Sequence, residues 1–162
     1  MKPIRIFLLL ACMLFSLTAA ASAAMPDISA DKTKFDPLTM TYELTGNVRV
    51  ATSDRVITAD HAKGTMTTME VWADGRITLM QDDIVFKGEK LYVNGNAHNA
   101  DITGGTTYER SNLVIKSDNA SFNWDTKLAD FSGNVKRTMD GETEKFNHLT
   151  YNVMTGEFTV EE

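Results

Sequence analysis

The sequence predicts an all-β protein built from one antiparallel sheet, and three observations support this fold class. Apolar and polar residues alternate with period two along most of the chain, as they do in strands with one buried face. Glycine, asparagine and aspartate, which favour tight turns, recur between these runs. After residue 24, no apolar stripe with helical spacing is longer than two helical turns. The sequence therefore predicts strands joined by short connections.

The alternation begins near Thr39 and continues to the C-terminus. Met40, Tyr42 and Leu44 alternate with polar residues, and the later runs are rich in threonine, valine and aromatic residues. Further apolar pairs lie two residues apart, namely Ile77 and Leu79, Ile84 and Phe86, Leu91 and Val93, Leu113 and Ile115, Phe122 and Trp124, and Tyr151 and Val153. Only the segment from Pro26 to Phe35 has a composition compatible with a helical turn.

Seven short segments have the composition of tight turns. They contain glycine, asparagine or aspartate, the residues that most readily adopt a positive φ. The segments are Thr45-Gly46-Asn47, Ala73-Asp74-Gly75, Asn94-Gly95-Asn96, Thr103-Gly104-Gly105, Ser132-Gly133-Asn134, Asp140-Gly141 and Thr155-Gly156. We expect the chain to reverse direction at each of them.

An internal repeat accompanies these segments. Ile57, Phe86, Ile115 and Phe146 occupy equivalent places in similar strands, and they recur at nearly equal intervals along the chain. A second type of strand, which follows a glycine, alternates with the first. Such a repeat predicts two or more strands per unit, stacked into one continuous sheet of about ten or eleven strands. A sheet of that size must curl or fold over on itself.

The N-terminus has the organisation of a secretory signal peptide. Lys2 and Arg5 precede an apolar run from Ile6 to Leu17, and small residues follow that run. We expect cleavage after Ala23, so that residues 1–23 are the signal peptide and residues 24–162 form a single domain.

Two alternatives for this segment remain open. The stretch from Ile6 to Ala24 is just long enough to span a bilayer as an uncleaved anchor. Cleavage before Cys12 would instead produce a lipoprotein. Because Cys12 is the only cysteine, a chain cut after Ala23 has no disulfide, no thiol nucleophile and no cysteine ligand for a metal.

The mature chain is acidic. Without Lys2 and Arg5 it has 14 basic and 22 acidic residues, a formal net charge of −8. This charge argues against nucleic acid as a partner and against generic attraction to anionic lipid headgroups.

Six segments follow one another along the chain in a characteristic order: Asp27-Ile28-Ser29-Ala30-Asp31, Tyr42-Glu43-Leu44-Thr45-Gly46-Asn47-Val48-Arg49-Val50, Ile57-Thr58-Ala59-Asp60-His61-Ala62, Ile115-Lys116-Ser117-Asp118-Asn119-Ala120, Phe131-Ser132-Gly133-Asn134-Val135 and Leu149-Thr150-Tyr151-Asn152. This succession resembles the LptA/OstA-like family of periplasmic lipopolysaccharide-transport bridge proteins. The resemblance covers essentially residues 27–160. The chain ends directly after a predicted strand, without the basic tail of some family members.

The resemblance implies a folded-over antiparallel β-jelly-roll, built from repeated strand pairs and open at both ends, with a groove for the acyl chains of lipid A. It also implies a periplasmic location and a role in outer-membrane biogenesis. The implied partners are lipopolysaccharide, an inner-membrane LptC-like protein, an outer-membrane LptD-like translocon, and further copies of the chain assembled head to tail. No cofactor is implied.

The apolar positions of the predicted strands are the candidates for the lipid-binding groove. In this interpretation, the inward face of the sheet is apolar and continuous while the outward face stays polar. The candidates are Met40, Tyr42, Leu44, Ile57, Ile77, Leu79, Phe86, Leu91, Ile115, Phe122, Trp124, Phe131, Tyr151 and Val153. Core packing alone would also account for any one of them.

The two ends of an open sheet are the candidate sites of self-association, because unpaired strand edges recruit partners. We expect the first strand near Met40 and the last near Tyr151. Contact between unlike ends extends into a filament. Alternatively, Glu157, Glu161 and Glu162 could protect the last edge from such pairing.

The sequence gives little support for catalysis. His61, His98 and His148 are far apart, and none has the spacing of a metal site. No nucleophile motif or phosphate-binding loop is present. We therefore expect a non-enzymatic protein. Two other functions remain open, a membrane-anchored LptC-like adaptor with the same fold and a carbohydrate-binding jelly-roll protein.

Overall fold

The computed structural model describes residues 27–51 and 55–160, which form one antiparallel sheet of eleven strands. The strands are β1 (Asp27–Ser29), β2 (Lys32–Asp36), β3 (Thr41–Ala51), β4 (Arg55–Thr65), β5 (Glu70–Gln81), β6 (Ile84–Asn94), β7 (Asn99–Arg110), β8 (Leu113–Asn123), β9 (Leu128–Met139), β10 (Glu142–Asn152) and β11 (Phe158–Val160). The predicted signal peptide, residues 1–23, and Glu161 and Glu162 lie outside the described residues.

Each strand from β3 to β10 pairs with the strand that follows it in the chain, and β1 and β2 both pair with β3. The fold class predicted from the sequence, a folded-over antiparallel β-jelly-roll made of strand pairs and open at both ends, is confirmed. Within the part of the chain that the structure describes, no helix is long and apolar enough to cross a membrane.

The segment from Pro26 to Phe35, whose composition is compatible with a helical turn, forms no helical turn in its described residues. Asp27–Ser29 and Lys32–Asp36 are strands instead, and they pair with the two halves of β3. A single helical turn is costly to nucleate, whereas the free edge of β3 offers backbone hydrogen bonds at once. The two short strands are thus one edge strand interrupted at Ala30 and Asp31.

Four of the seven predicted turns lie inside long strands, where they form β-bulges. Each bulge consists of two consecutive residues with positive φ, and the strand pairing shifts register there. The bulges are Gly46-Asn47 in β3, Gly75-Arg76 in β5, Gly104-Gly105 in β7 and Gly133-Asn134 in β9. The expected chain reversals at these segments are therefore wrong, because the same positive-φ residues serve a bulge as well as a hairpin.

An acidic side chain of the preceding strand or segment faces each bulge. These residues, Asp31, Asp60, Glu89 and Asp118, recur at one constant interval along the chain and lie against Gly46, Gly75, Gly104 and Gly133. Three of the bulges also donate a hydrogen bond to the carboxylate: Asn47 to Asp31 (3.0 Å), Arg76 to Asp60 (2.5 Å for Nη2) and Asn134 to Asp118 (2.8 Å). The hydrogen bonds from Arg76 lower the pKa of Asp60.

Hairpin turns also recur at the interval of the repeat. Four-residue turns follow Asp36, Thr65, Asn94 and Asn123. The carboxylate of Asp36 and the side-chain carbonyls of Asn94 and Asn123 accept hydrogen bonds from backbone N–H groups of the turn that follows. A carboxylate or amide oxygen at this position stabilises a turn by satisfying its backbone donors.

Together the bulges and their acidic partners form a line across the sheet, which we call the crease. The inward positions of the unbulged strands change parity there: in β4, Ile57 and Ala59 are buried before the crease, and Ala62 and Gly64 face inward after it. Bulges bend strands and increase their twist. The bend allows the apolar face of one sheet to cover itself, so that Phe131 is fully buried although no second sheet or helix covers it among the described residues.

Substitution of two neighbouring glycines tests the close packing at the crease. Both Gly104 and Gly105 have positive φ, but a Cβ on Gly104 would meet Glu89 at 2.8 Å whereas a Cβ on Gly105 would meet nothing within 4 Å. Gly104→Ala and Gly105→Ala should each cost backbone strain of about 1–3 kcal/mol, and Gly104→Ala should cost more because of the added contact. Urea denaturation of the two variants measures the difference. Equal destabilisation would contradict close packing at the crease.

Candidate functional site

The inward face of the folded sheet forms an apolar interior, which is the candidate functional site. It contains two clusters of buried side chains. One cluster centres on Tyr42, Ile77 and Leu91, and the other on Ile115 and Phe131. Phe86 and Phe122 pack against both clusters, so that the apolar surface is continuous from one end of the sheet to the other.

The structure places nine of the fourteen predicted inward residues in buried positions: Tyr42, Leu44, Ile57, Ile77, Leu91, Ile115, Trp124, Phe131 and Tyr151. Phe86, Phe122 and Val153 are partly buried against the clusters. Met40 and Leu79 are partly buried outside both clusters. Three of the fourteen residues lie in turns and not in the predicted strands: Met40 in the turn before β3, with a φ of 51°, Trp124 directly after β8, and Val153 directly after β10.

Other residues line the interior but were not among the fourteen predicted groove residues. They are Val48, Val71, Val93, Ile102, Tyr108, Leu113, Val135 and Leu149. The misassigned turn at Gly104-Gly105 concealed β7, and with it Ile102 and Tyr108. The repeat contained the missing signal, because Leu44, Ala73, Ile102 and Phe131 recur at the repeat interval and all four are buried.

Tyr108 brings a polar atom into the apolar interior. Its ring packs edge-on against Phe86, Phe131 and Tyr151, with centroid distances of 6.0, 6.1 and 5.7 Å. Its hydroxyl oxygen is buried with the side chains of Arg110 and Tyr151 as polar neighbours, and burial raises the pKa of the phenol. The phenol therefore stays neutral and places a hydroxyl group inside the apolar interior.

The C-terminal end of the interior is covered by the short strand β11. Phe158 of β11 stacks on Tyr151, with ring centroids 4.8 Å apart, and the Arg137 guanidinium lies 4.6 Å from the centre of the Phe158 ring. Arg137 also forms an ion pair with Glu144. Aromatic stacking and a cation–π contact thus hold a strand that has only three residues.

The interior is open along the edges of the sheet. Within the described residues β1 and β2 pair only with β3, and β11 pairs only with β10, so the sheet does not close into a barrel. The first strand expected near Met40 is therefore β3, one place inside the N-terminal edge, and the last strand expected near Tyr151 is β10. Both predictions missed edge strands too short to show alternation. The half of β10 from Glu142 to Phe146 pairs only with β9.

The titratable residues do not converge on a reactive centre. His61, His98 and His148 each face an aspartate, but in separate parts of the sheet, at 3.0 Å (Asp74), 2.5 Å (Asp125) and 3.6 Å (Asp130). The described ranges contain no group of three or more histidine, cysteine, aspartate or glutamate side chains that could hold a metal ion.

The fold and the interior define a class of single-sheet all-β proteins with an apolar interior open along its edges. No protein-family model matches the chain, and no curated protein matches it. Among solved structures, the chain is similar to LptH from Pseudomonas aeruginosa, described as the LptA-homologous periplasmic component of the lipopolysaccharide transport device. The two share 11% identity with a TM-score of 0.43, over 85% of this chain and 82% of that one. The function proposed below therefore depends on the chain's own residues.

The contacts of β11 can be tested by substitution. Phe158→Ala removes the stacking on Tyr151 and the cation–π contact with Arg137, and should weaken the closure of this end by roughly 1–3 kcal/mol. Hydrogen exchange should become faster at the amide of Asn152, which donates to the Glu157 carbonyl oxygen at 2.9 Å, and at the amide of Thr150, which faces β11 from the same side of β10. Val160→Ala on the same strand, where the side chain is 46% exposed, is the control and should leave exchange nearly unchanged.

Proposed function

We propose that this chain is a non-enzymatic lipid carrier that binds the acyl chains of lipopolysaccharide in its apolar interior and bridges the periplasm. The observation that supports this proposal is the continuous apolar face of a sheet that remains open along its edges. An open sheet offers a lateral route to its interior, which a closed barrel would deny to a large branched lipid. The predicted signal peptide would export the chain to the periplasm.

The energy of acyl-chain burial is sufficient for this role. Each methylene moved out of water contributes about 0.8 kcal/mol, so one chain of a dozen carbons could contribute up to roughly 10 kcal/mol. A lipid with several such chains cannot cross an aqueous space unaided. An apolar interior replaces water along the route, and the polar outer face keeps the carrier soluble.

Entry of the lipid requires the interior to open, since Ile115, Phe131, Val135 and Leu149 are fully buried in this structure. The edges are where opening costs least. β1 and β11 have three residues each and contribute few backbone hydrogen bonds, so they can separate without unfolding β4 to β9. We propose that acyl chains enter along these edges and contact Phe86 and Phe122 between the two clusters.

The proposed partners follow from the resemblance seen in the sequence. An inner-membrane LptC-like protein would deliver the lipid and an outer-membrane LptD-like translocon would receive it. Copies of the chain would join head to tail between them. The N-terminal edge formed by β1 and β2 and the C-terminal edge formed by β10 and β11 supply two unlike strand edges for such a joint.

Displacement of a fluorescent acyl probe tests lipid binding. Intact lipopolysaccharide should displace the probe from the mature protein, and delipidated polysaccharide should not. Phe86→Asp or Phe122→Asp places a charge in the interior and should weaken lipid binding strongly while the circular dichroism of the sheet persists. Met80→Asp, at an exposed position of β5, is the matched control. Unchanged lipid binding in folded Phe86→Asp and Phe122→Asp variants would refute the assignment of the interior.

Engineered cysteines test head-to-tail assembly, since the mature chain has none of its own. Lys32→Cys marks the N-terminal edge and Thr159→Cys marks the C-terminal edge. Under mild oxidation, a mixture of the two single variants should form disulfide dimers, and neither variant alone should do so. Dimers formed by either variant alone would indicate that like ends meet and would exclude a head-to-tail bridge.

A further inference from the structure

The outer face of the sheet contains a groove that the proposed lipid carriage does not use. Its volume is about 560 Å³, within the range typical of small-molecule sites, and it extends across β3 to β7 beside the crease. One row of its residues runs across five paired strands: Glu43, Lys63, Trp72, Tyr92 and Asp101. The neighbours of these residues along the strands also line the floor of the groove, but their side chains pack in the interior, so the groove opens on the face opposite to the apolar interior; these neighbours are Leu44, Ala62, Ala73 and Leu91.

Two aromatic rings form the middle of this row. Trp72 is 39% exposed, and its ring centre lies 5.6 Å from that of Tyr92, at an interplanar angle of 35°. The Tyr92 hydroxyl donates a hydrogen bond to Glu70 (2.5 Å) and accepts a longer one from Asn94 (3.4 Å). Tyr92 is thereby held in place beside Trp72, whose exposed surface is available to a ligand.

Positively and negatively charged side chains surround the rings of Trp72 and Tyr92. A second row two residues further along the strands contains His61, Asp74 and Lys90. His61 and Asp74 contact each other at 3.0 Å. Lys63 and Lys90 form no ion pair within residues 27–51 and 55–160. The groove therefore presents free ammonium donors and carboxylate acceptors a short distance apart.

Asp101 is the least solvated of these carboxylates. Burial raises its pKa, and its hydrogen bonds from Asn99 are long, at 3.4 Å. Because the folded state favours the protonated acid, Asp101 reduces stability as the pH rises through its folded pKa. The Asp101 carboxylate is a strong hydrogen-bond acceptor that is incompletely solvated. A ligand that donates a hydrogen bond to this carboxylate would therefore stabilise it.

We propose that this groove binds a saccharide. A sugar ring has an apolar C–H face that can stack on Trp72 and hydroxyl groups that both donate to carboxylates and accept from ammonium groups. The mixture of Lys63 and Lys90 with Glu43, Asp74 and Asp101 suits a polyhydroxylated ligand better than a phosphate, which the carboxylates would repel. Glu43 and Asp74 already have basic neighbours, Lys34 at 3.9 Å and His61 at 3.0 Å, whereas Lys63 and Lys90 form no ion pair among the described residues, and strand pairing alone would not need these two free ammonium groups beside the aromatic pair.

The saccharide site goes beyond the proposed lipid function, because free sugar and acyl chain contact different faces of the sheet. The test uses the mature full-length chain and, as probe, the oligosaccharide released from lipopolysaccharide by mild acid hydrolysis. Titration calorimetry should give saturable binding to the wild type, together with a change in tryptophan fluorescence. The same calorimetric titration should show a loss of affinity of about tenfold or more in Trp72→Ala and Asp101→Asn, equivalent to about 1.4 kcal/mol.

Two controls separate binding from folding. Met80→Ala on β5 and Lys87→Ala on β6, outside the groove, should bind the oligosaccharide within about twofold of the wild type. Asp101→Asn should have a higher melting temperature than the wild type at neutral pH, so its weaker binding cannot come from unfolding. Absence of oligosaccharide binding to the wild type, or unchanged affinity in Asp101→Asn, would overturn the proposal. Displacement of the acyl probe by intact lipopolysaccharide, measured separately, reports on lipid carriage alone.

Discussion

The need of one large sheet to bury its own apolar face governs this structure. Within the described residues no helix and no second sheet covers that face, so the sheet must bend sharply along a line that crosses every long strand. The crease provides this bend with a pair of positive-φ residues in every second strand. The acidic side chain beside each pair fills the space that a larger residue in place of glycine would need, as Asp60 does at Gly75. The positive-φ backbone of the bulges and the burial of the whole apolar face therefore depend on the same few residues of the crease.

The single bent sheet formed by the described strands does not close into a barrel, and the proposed lipid carriage depends on its open edges. A closed barrel would satisfy every strand edge, whereas here β1, β2 and β11 remain at the ends of the sheet with short pairings. Short edge strands open at low cost, and the proposed entry of lipid and the proposed pairing with other copies of the chain both depend on this property. Phe158 and Arg137 stabilise the C-terminal end of the sheet, where β11 covers the interior.

The two faces of the sheet differ in their chemistry. The inward face is a continuous apolar surface whose few polar groups are paired, like Thr106 and Ser117 at 2.6 Å, or held neutral, like Tyr108. The outward face combines Trp72 with incompletely paired charges. The residues that carry the family resemblance, such as Gly46-Asn47-Val48 and Asp60-His61, lie at or beside the crease. These residues therefore relate more directly to the bending of the sheet than to the binding of a ligand.

The sequence by itself determined the all-β class, the strand-pair repeat and most of the inward face, because alternation with period two reports directly on which side chains are buried. Tertiary structure decided whether each glycine segment is a turn or a bulge. Gly104-Gly105 and Asp140-Gly141 both adopt positive φ, but the first lies inside β7, which pairs with a strand on each side, and the second connects β9 to β10. It also decided the edges, where Lys32–Asp36 is a strand only because β3 lies beside it. The groove at Trp72 depends on pairing across five strands, and no local pattern contains that information.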